Sequence, residues 1–159
     1  MRALLLALFL TTSAAQAQDD LLTDIRKNIG EVFKTEAVCL RFHGLFEKAD
    51  ISKSNLLLGY KGAVELGMAR HDPNVFNKMG YFNDGKEQLE KSITVDPKSL
   101  ELRFLRLTIQ THLPTFLGYS GQKEADKAFV LENLNKAQSE EFKTSVRNFI
   151  KNAEEQGKL

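Results

Sequence analysis

The fold is read from the stretch DGKEQLEKSITVDP, residues 84–97. Its Gly85 and Ser92 stand seven residues apart, with Leu89 between them and Pro97 five beyond Ser92. In an α-helix that spacing puts the two small side chains on one stripe, where a neighbouring helix can approach closely. Proline fits the first turn of a helix but not its interior, so Asp96-Pro97 stops one helix and starts the next. The preceding segment has a small-residue stripe of its own: Gly59, Ala63 and Gly67 recur every four residues. Glycine inside a helix costs about 1 kcal/mol relative to alanine. A stripe that repeats it therefore points to close packing, and the two segments are predicted to form one helix hairpin.

Outward from this pair, apolar residues keep recurring at three- and four-residue spacing, and no segment shows turn-bounded alternation. About seven helices are predicted. The first spans about 20–34, with Leu21, Leu22, Ile25, Ile29, Val32 and Phe33 inward. A second, opened by Thr35, runs to about Lys48 on Val38, Cys39, Phe42, Leu45 and Phe46. After a turn at Asp50-Ile51-Ser52, with Ser52 or Ser54 as N-cap, a third covers about 55–70. Pro73, Asn74 and Asn77 predict a loop over 71–78, followed by helices over about 79–95 and 98–112. A break over 113–119 precedes a helix over about 122–137, and Ser139 caps the last; the tail from Glu154 to Leu159 is expected to fray.

The Gly85, Leu89, Ser92, Pro97 pattern resembles the second helix of a tetratricopeptide (TPR) motif. The loop predicted at 71–78 departs from the short turns of that motif, and no second copy matches fully. The resemblance implies an all-α domain of antiparallel helix hairpins, packed as a TPR-like bundle or short solenoid. A longer likeness lies in YKGA (60–63), NVFNKMGYFNDGKEQLEKSI (74–93), DPKSLELRFLR (96–106) and PTFLGY (114–119). These runs resemble a family of short exported proteins of Bacteroidota, over about residues 55–135. The resemblance implies the fold and export; it assigns no catalytic or ligand residue.

The N-terminus reads as a cleaved export signal. Arg2 is followed by an apolar run over Ala3–Leu10, and Ala15-Gln16-Ala17 fits a small-x-small cleavage site. The run is far shorter than the about 20 apolar residues of a membrane span. Residues 1–17 are thus expected to be removed, leaving 18–159 as one helical domain with no membrane span, periplasmic or secreted. The chain carries 22 basic and 21 acidic residues, and Arg2 is the only charge in the first seventeen. The mature balance is neutral, with no global field to draw nucleic acid. The single cysteine, Cys39, cannot form an internal disulfide and reads as a small buried apolar residue.

Arg103, Arg106 and Gln110 make the densest polar feature, sharing one face of an otherwise apolar helix. Two guanidinium forks on a stripe can clamp a carboxylate or phosphate, or else pair internally with Glu65, Glu87 or Glu90. Two irregular segments add Asn77, Lys78 and Tyr81 from 71–82, and Phe116 and Tyr119 from 113–119; Tyr60 suits the same surface. These residues, with the arginine stripe, form the candidate binding set. Cys39 and His43 stand at ligand spacing, but two ligands make no zinc site. No metal, cofactor or catalytic motif is expected. The pattern suits a non-enzymatic binding or scaffolding module that offers a helical groove to a peptide or protein. Alternatives are a small-molecule-binding protein or enzyme, built on Arg103, Arg106 and the two loops, and a structural envelope protein without a pocket.

Overall fold

A computed structural model describes the backbone of residues 2–159 and the side chains of 15–159. Among the described residues there are seven α-helices and no strand. They are α1 (Arg2–Val32), α2 (Glu36–Lys48), α3 (Asn55–His71), α4 (Val75–Val95), α5 (Leu100–His112), α6 (Lys123–Asn133) and α7 (Glu140–Glu155). Short 3-10 turns stand at Thr115–Leu117 and Leu134–Lys136. The chain divides into two compact units, residues 1–92 and 93–159.

Serines start three of the helices, each taking up an N–H that the first turn leaves without a partner. Ser54 Oγ accepts from Leu57 N at 3.3 Å, Ser99 Oγ from Leu102 N at 3.3 Å, and Ser139 Oγ from Phe142 N at 3.1 Å. The predicted loop over 71–78 is much shorter than expected. Helix α3 continues through His71, whose Nε2 lies 2.9 Å from Val32 O, and α4 already starts at Val75. The asparagine signal was a cap rather than a loop. Asn74 Oδ1 accepts from Phe76 N at 2.9 Å, while Asp72 Oδ1 accepts from Asn74 N at 2.7 Å. Three residues, 72–74, therefore join α3 to α4.

In the first unit α3 is buried through nearly its whole middle, from Gly62 to Met68. Against it lie Ile25 and Val32 of α1, Cys39 and Phe42 of α2 and Leu89 of α4, all 0% exposed. Helices α3 and α4 cross backbone to backbone. A Cβ added at Gly62 would stand 2.6 Å from Gly85 O and 2.8 Å from Leu89 N. One added at Gly85 would stand 2.6 Å from Gly62 O and 2.9 Å from Leu66 N. The crossing thus uses Gly85, as its spacing predicts, but on the α3 side it uses Gly62. Gly67 faces elsewhere, toward Val32 and Cys39 Sγ. At the last residue of this unit, Ser92 Oγ donates to Asn55 O at 2.7 Å and Asn55 Nδ2 donates to Ser92 O at 2.8 Å. Ser92 is small enough to let that reciprocal pair form. Leu45, expected inward, is 39% exposed on α2.

The second unit is built on Leu107, Val130, Leu134, Val146 and Ile150. Phe104 stands edge-on to Phe142 and Phe149, at centroid distances of 5.7 and 5.4 Å, within the range of favourable aromatic pairs. The C-terminal residues are tied down rather than frayed. Gly157 takes a left-handed φ of 64°, Lys158 N donates to Ala153 O at 2.9 Å, and Lys123 Nζ donates to Lys158 O at 2.8 Å. Leu159 packs on the apolar core.

Candidate functional site

The arginine stripe of the second unit converges on one acid. Arg106 Nε donates to Asp126 Oδ2 at 2.6 Å and Nη2 to Oδ1 at 2.8 Å, a bidentate fork. Arg103 Nε makes an ion contact with Asp126 Oδ1 without the alignment of a hydrogen bond. Its guanidinium also lies 4.8 Å from the centre of the Phe129 ring. Arg103 meeting Phe129 and Arg106 meeting Asp126 shows that α5 and α6 run antiparallel. Asp126 is 0% exposed and Arg106 5%. The acid that receives both arginines therefore comes from the first turn of α6, and not from Glu65, Glu87 or Glu90 as the sequence suggests. An anionic ligand would have to displace a buried internal carboxylate. Gln110, the third member of the stripe, is 1% exposed, and neither amide atom has a hydrogen-bond partner among the described residues.

The remaining predicted residues separate. Tyr60 and Tyr119 are buried, so their rings serve the interior. Phe116 stands out at 85% exposure on the 3-10 turn. Asn77 and Tyr81 do come together, on an open pocket of ≈ 320 Å³ that Phe76, Gly80 and Asp84 complete. Lys78 is half-buried on the same helix. Val75, Phe76 and Met79, 72, 89 and 57% exposed, form an apolar ridge over the first two turns of α4. No side chain fills the space over Gly80, where an added Cβ would meet nothing within 4 Å.

The same helix reaches a polar cluster that sequence reading did not assemble. Tyr81 stands edge-on to His43 of α2, with ring centroids 5.7 Å apart. His43 Nε2 lies 3.6 Å from Glu65 Oε1 of α3. One turn along α2 from His43, Glu47 completes a group whose ligand atoms all lie within 4.8 Å of one another. Glu65 is 6% exposed. Burial pushes its carboxyl pKa up, while His43 and Lys61 pull it down and Glu47 and Asp84 push it up further. Lys61 Nζ sits 3.1 Å from Glu47 Oε1 and holds that carboxyl below its ordinary pKa. Burial, then Asp72 and Glu65, raises the Tyr81 hydroxyl.

Beneath the cluster Cys39 is closed to chemistry. Its Sγ donates to Val64 O at 3.7 Å, and burial, then Glu65 and Glu36, pushes the thiol up to about 12. Cys39 is thus the small buried residue that the sequence suggests, and His43 stands with Glu47 and Glu65. The signal for the cluster lay in Glu65, an acid set inside the otherwise apolar or small run of 62–68, and in the His43–Glu47 interval. Comparison with protein-family models, curated proteins and solved structures finds no significant match.

Proposed function

We propose that this protein is an exported, non-enzymatic binding module, and that it takes a peptide or partner helix along the N-terminal half of α4. The observation that carries the reading is the ridge of Val75, Phe76 and Met79 beside the open pocket at Asn77, Gly80 and Tyr81. Apolar side chains this exposed and this close together mark an interaction surface more often than a solvated face. Asp84, exposed in that pocket, suits a basic residue set among the partner's apolar ones. The three-residue connection of α3 to α4 and the glycine crossing between them also support the TPR-like reading, since both suit a compact repeat hairpin. Export rests on the leader sequence. Ala15, Gln16 and Ala17 are exposed on α1, and the first buried side chain described is Leu21, so removal of 1–17 takes no described core residue.

A photo-crosslinking residue at position 76 in the native host tests the reading. One discrete adduct is expected, lost with Met79→Ser and retained when Phe116→Ser removes an apolar side chain of the other unit. Absence of any discrete adduct at 76 refutes it.

A further inference from the structure

We infer that His43, Glu47 and Glu65 form a binding site for a divalent transition-metal cation of the zinc class. Two ligands come from one face of α2, one turn apart, and the third from the middle of α3. The distances favour an ion over an internal hydrogen bond. His43 Nε2 and Glu65 Oε1 are 3.6 Å apart. That exceeds the about 3.2 Å limit of a good N–H···O bond. Bonds of about 2.0–2.2 Å to a tetrahedral ion place two ligand atoms about 3.4 Å apart, close to what is found. Glu47 lies within 4.8 Å and closes the rest by side-chain rotation, being exposed.

The second observation is Glu65 itself. It is more than nine-tenths buried, and His43 stands at ion-contact distance from its carboxylate. A buried ionised carboxylate is costly unless a cation compensates it. One imidazole and two carboxylates form the mixed nitrogen and oxygen set that zinc-class ions take, with a fourth position left for water or a partner's group. Lys61, at 3.1 Å from Glu47, is a competing cation that the metal displaces. Cys39 is not among the converging ligands, and its thiol donates to Val64 O. The site stands independently of the peptide-binding reading, since no residue of the Val75–Met79 ridge is among its ligands.

Untagged full-length chain titrated with Zn²⁺ against a chromophoric chelator, and with Co²⁺ followed by its visible bands, tests the inference. One equivalent should bind with a dissociation constant below about 10 µM. Co²⁺ should give the intense absorption of a four-coordinate site without a thiolate charge-transfer band. Glu65→Gln and His43→Gln should each weaken binding at least tenfold, Cys39→Ala should leave it unchanged, and Lys61→Met should tighten it. The conservative Glu65→Gln keeps volume; if it fails to fold, His43→Gln and Lys61→Met decide alone. No saturable binding below about 100 µM, or binding indifferent to His43→Gln and Lys61→Met, overturns the site.

Discussion

Adding one methyl group at Gly62 tests the central helix crossing. Gly62→Ala removes a flexible residue from the interior of α3, which by itself stabilises a helix by about 0.5–1 kcal/mol. Here the new Cβ would stand 2.6 Å from Gly85 O and 2.8 Å from Leu89 N. That is about 0.8 Å short of ordinary contact, and both obstacles are backbone atoms of α4, which no rotamer change can move. The helices must part, and they do so in a packed environment where Leu66 is 1% and Leu89 0% exposed. Overpacking of this kind costs about 1–3 kcal/mol. After the propensity gain, a net loss of about 1–2 kcal/mol remains, a fall of several degrees in Tm for a unit of this size. Gly85→Ala should match it, and the double variant should lose less than the sum, because helices already parted admit the second methyl. Gly44→Ala is the control: nothing lies within 4 Å of its Cβ on α2, so it should gain about 0.5–1 kcal/mol. The assay is urea denaturation followed by circular dichroism. If Gly62→Ala raises the midpoint as Gly44→Ala does, the backbones are not in contact and the crossing is wrong.

Further outcomes follow from other parts of the molecule. Arg106→Ala strips a bidentate partner from fully buried Asp126 and should cost about 3–5 kcal/mol by denaturation, whereas half-buried Arg103→Ala should cost less; equal, negligible losses would count against the buried pair. Because burial raises the Cys39 thiol to about 12, its folded pKa lies above the unfolded value of about 8.5. Its contribution to stability is therefore full below pH of about 8.5 and is lost as pH rises toward 12. Cys39→Ala should flatten part of that alkaline loss, and native protein at pH 8 should resist a thiol reagent that reacts in denaturant. Intact-mass measurement of protein from the native host should show a chain beginning at Gln18; retention of residues 1–17 would remove the case for export.

Local chemistry made the helices legible before any coordinates. Serine caps at 54 and 139 and three- to four-residue apolar spacing are properties of short windows, and both serines cap as that reading allows, while Ser99 caps α5 two residues beyond the start that Pro97 suggests. Where the reading slipped, two local signals shared one residue. Asn74 suits a turn and an N-cap alike, and only the position of Phe76 N decides between them. Leu45 belongs to an apolar helix pattern wider than the face α2 buries.

The sites were less legible because each is made by residues far apart in sequence. Arg103 and Arg106 announced a need for an anion, since guanidinium groups on an apolar helix cannot remain buried alone. The answering Asp126 lies twenty residues from Arg106 and looks like any acid in a helical first turn. Its special status comes only from α6 folding back antiparallel on α5. Glu65 is the converse case. Surrounded by Val64, Leu66, Gly67 and Met68, it breaks the apolar pattern of its helix, which marks it as an acid whose charge needs compensation. Which cation cannot be read from α3, because His43 is supplied by α2 and Lys61 spends its charge on Glu47. The fold brings to Glu65 an imidazole at a distance too long for a hydrogen bond and close to that between two ligands of one ion. A misfit polar residue in a helix thus locates a site, and the spacing of its neighbours then specifies the chemistry.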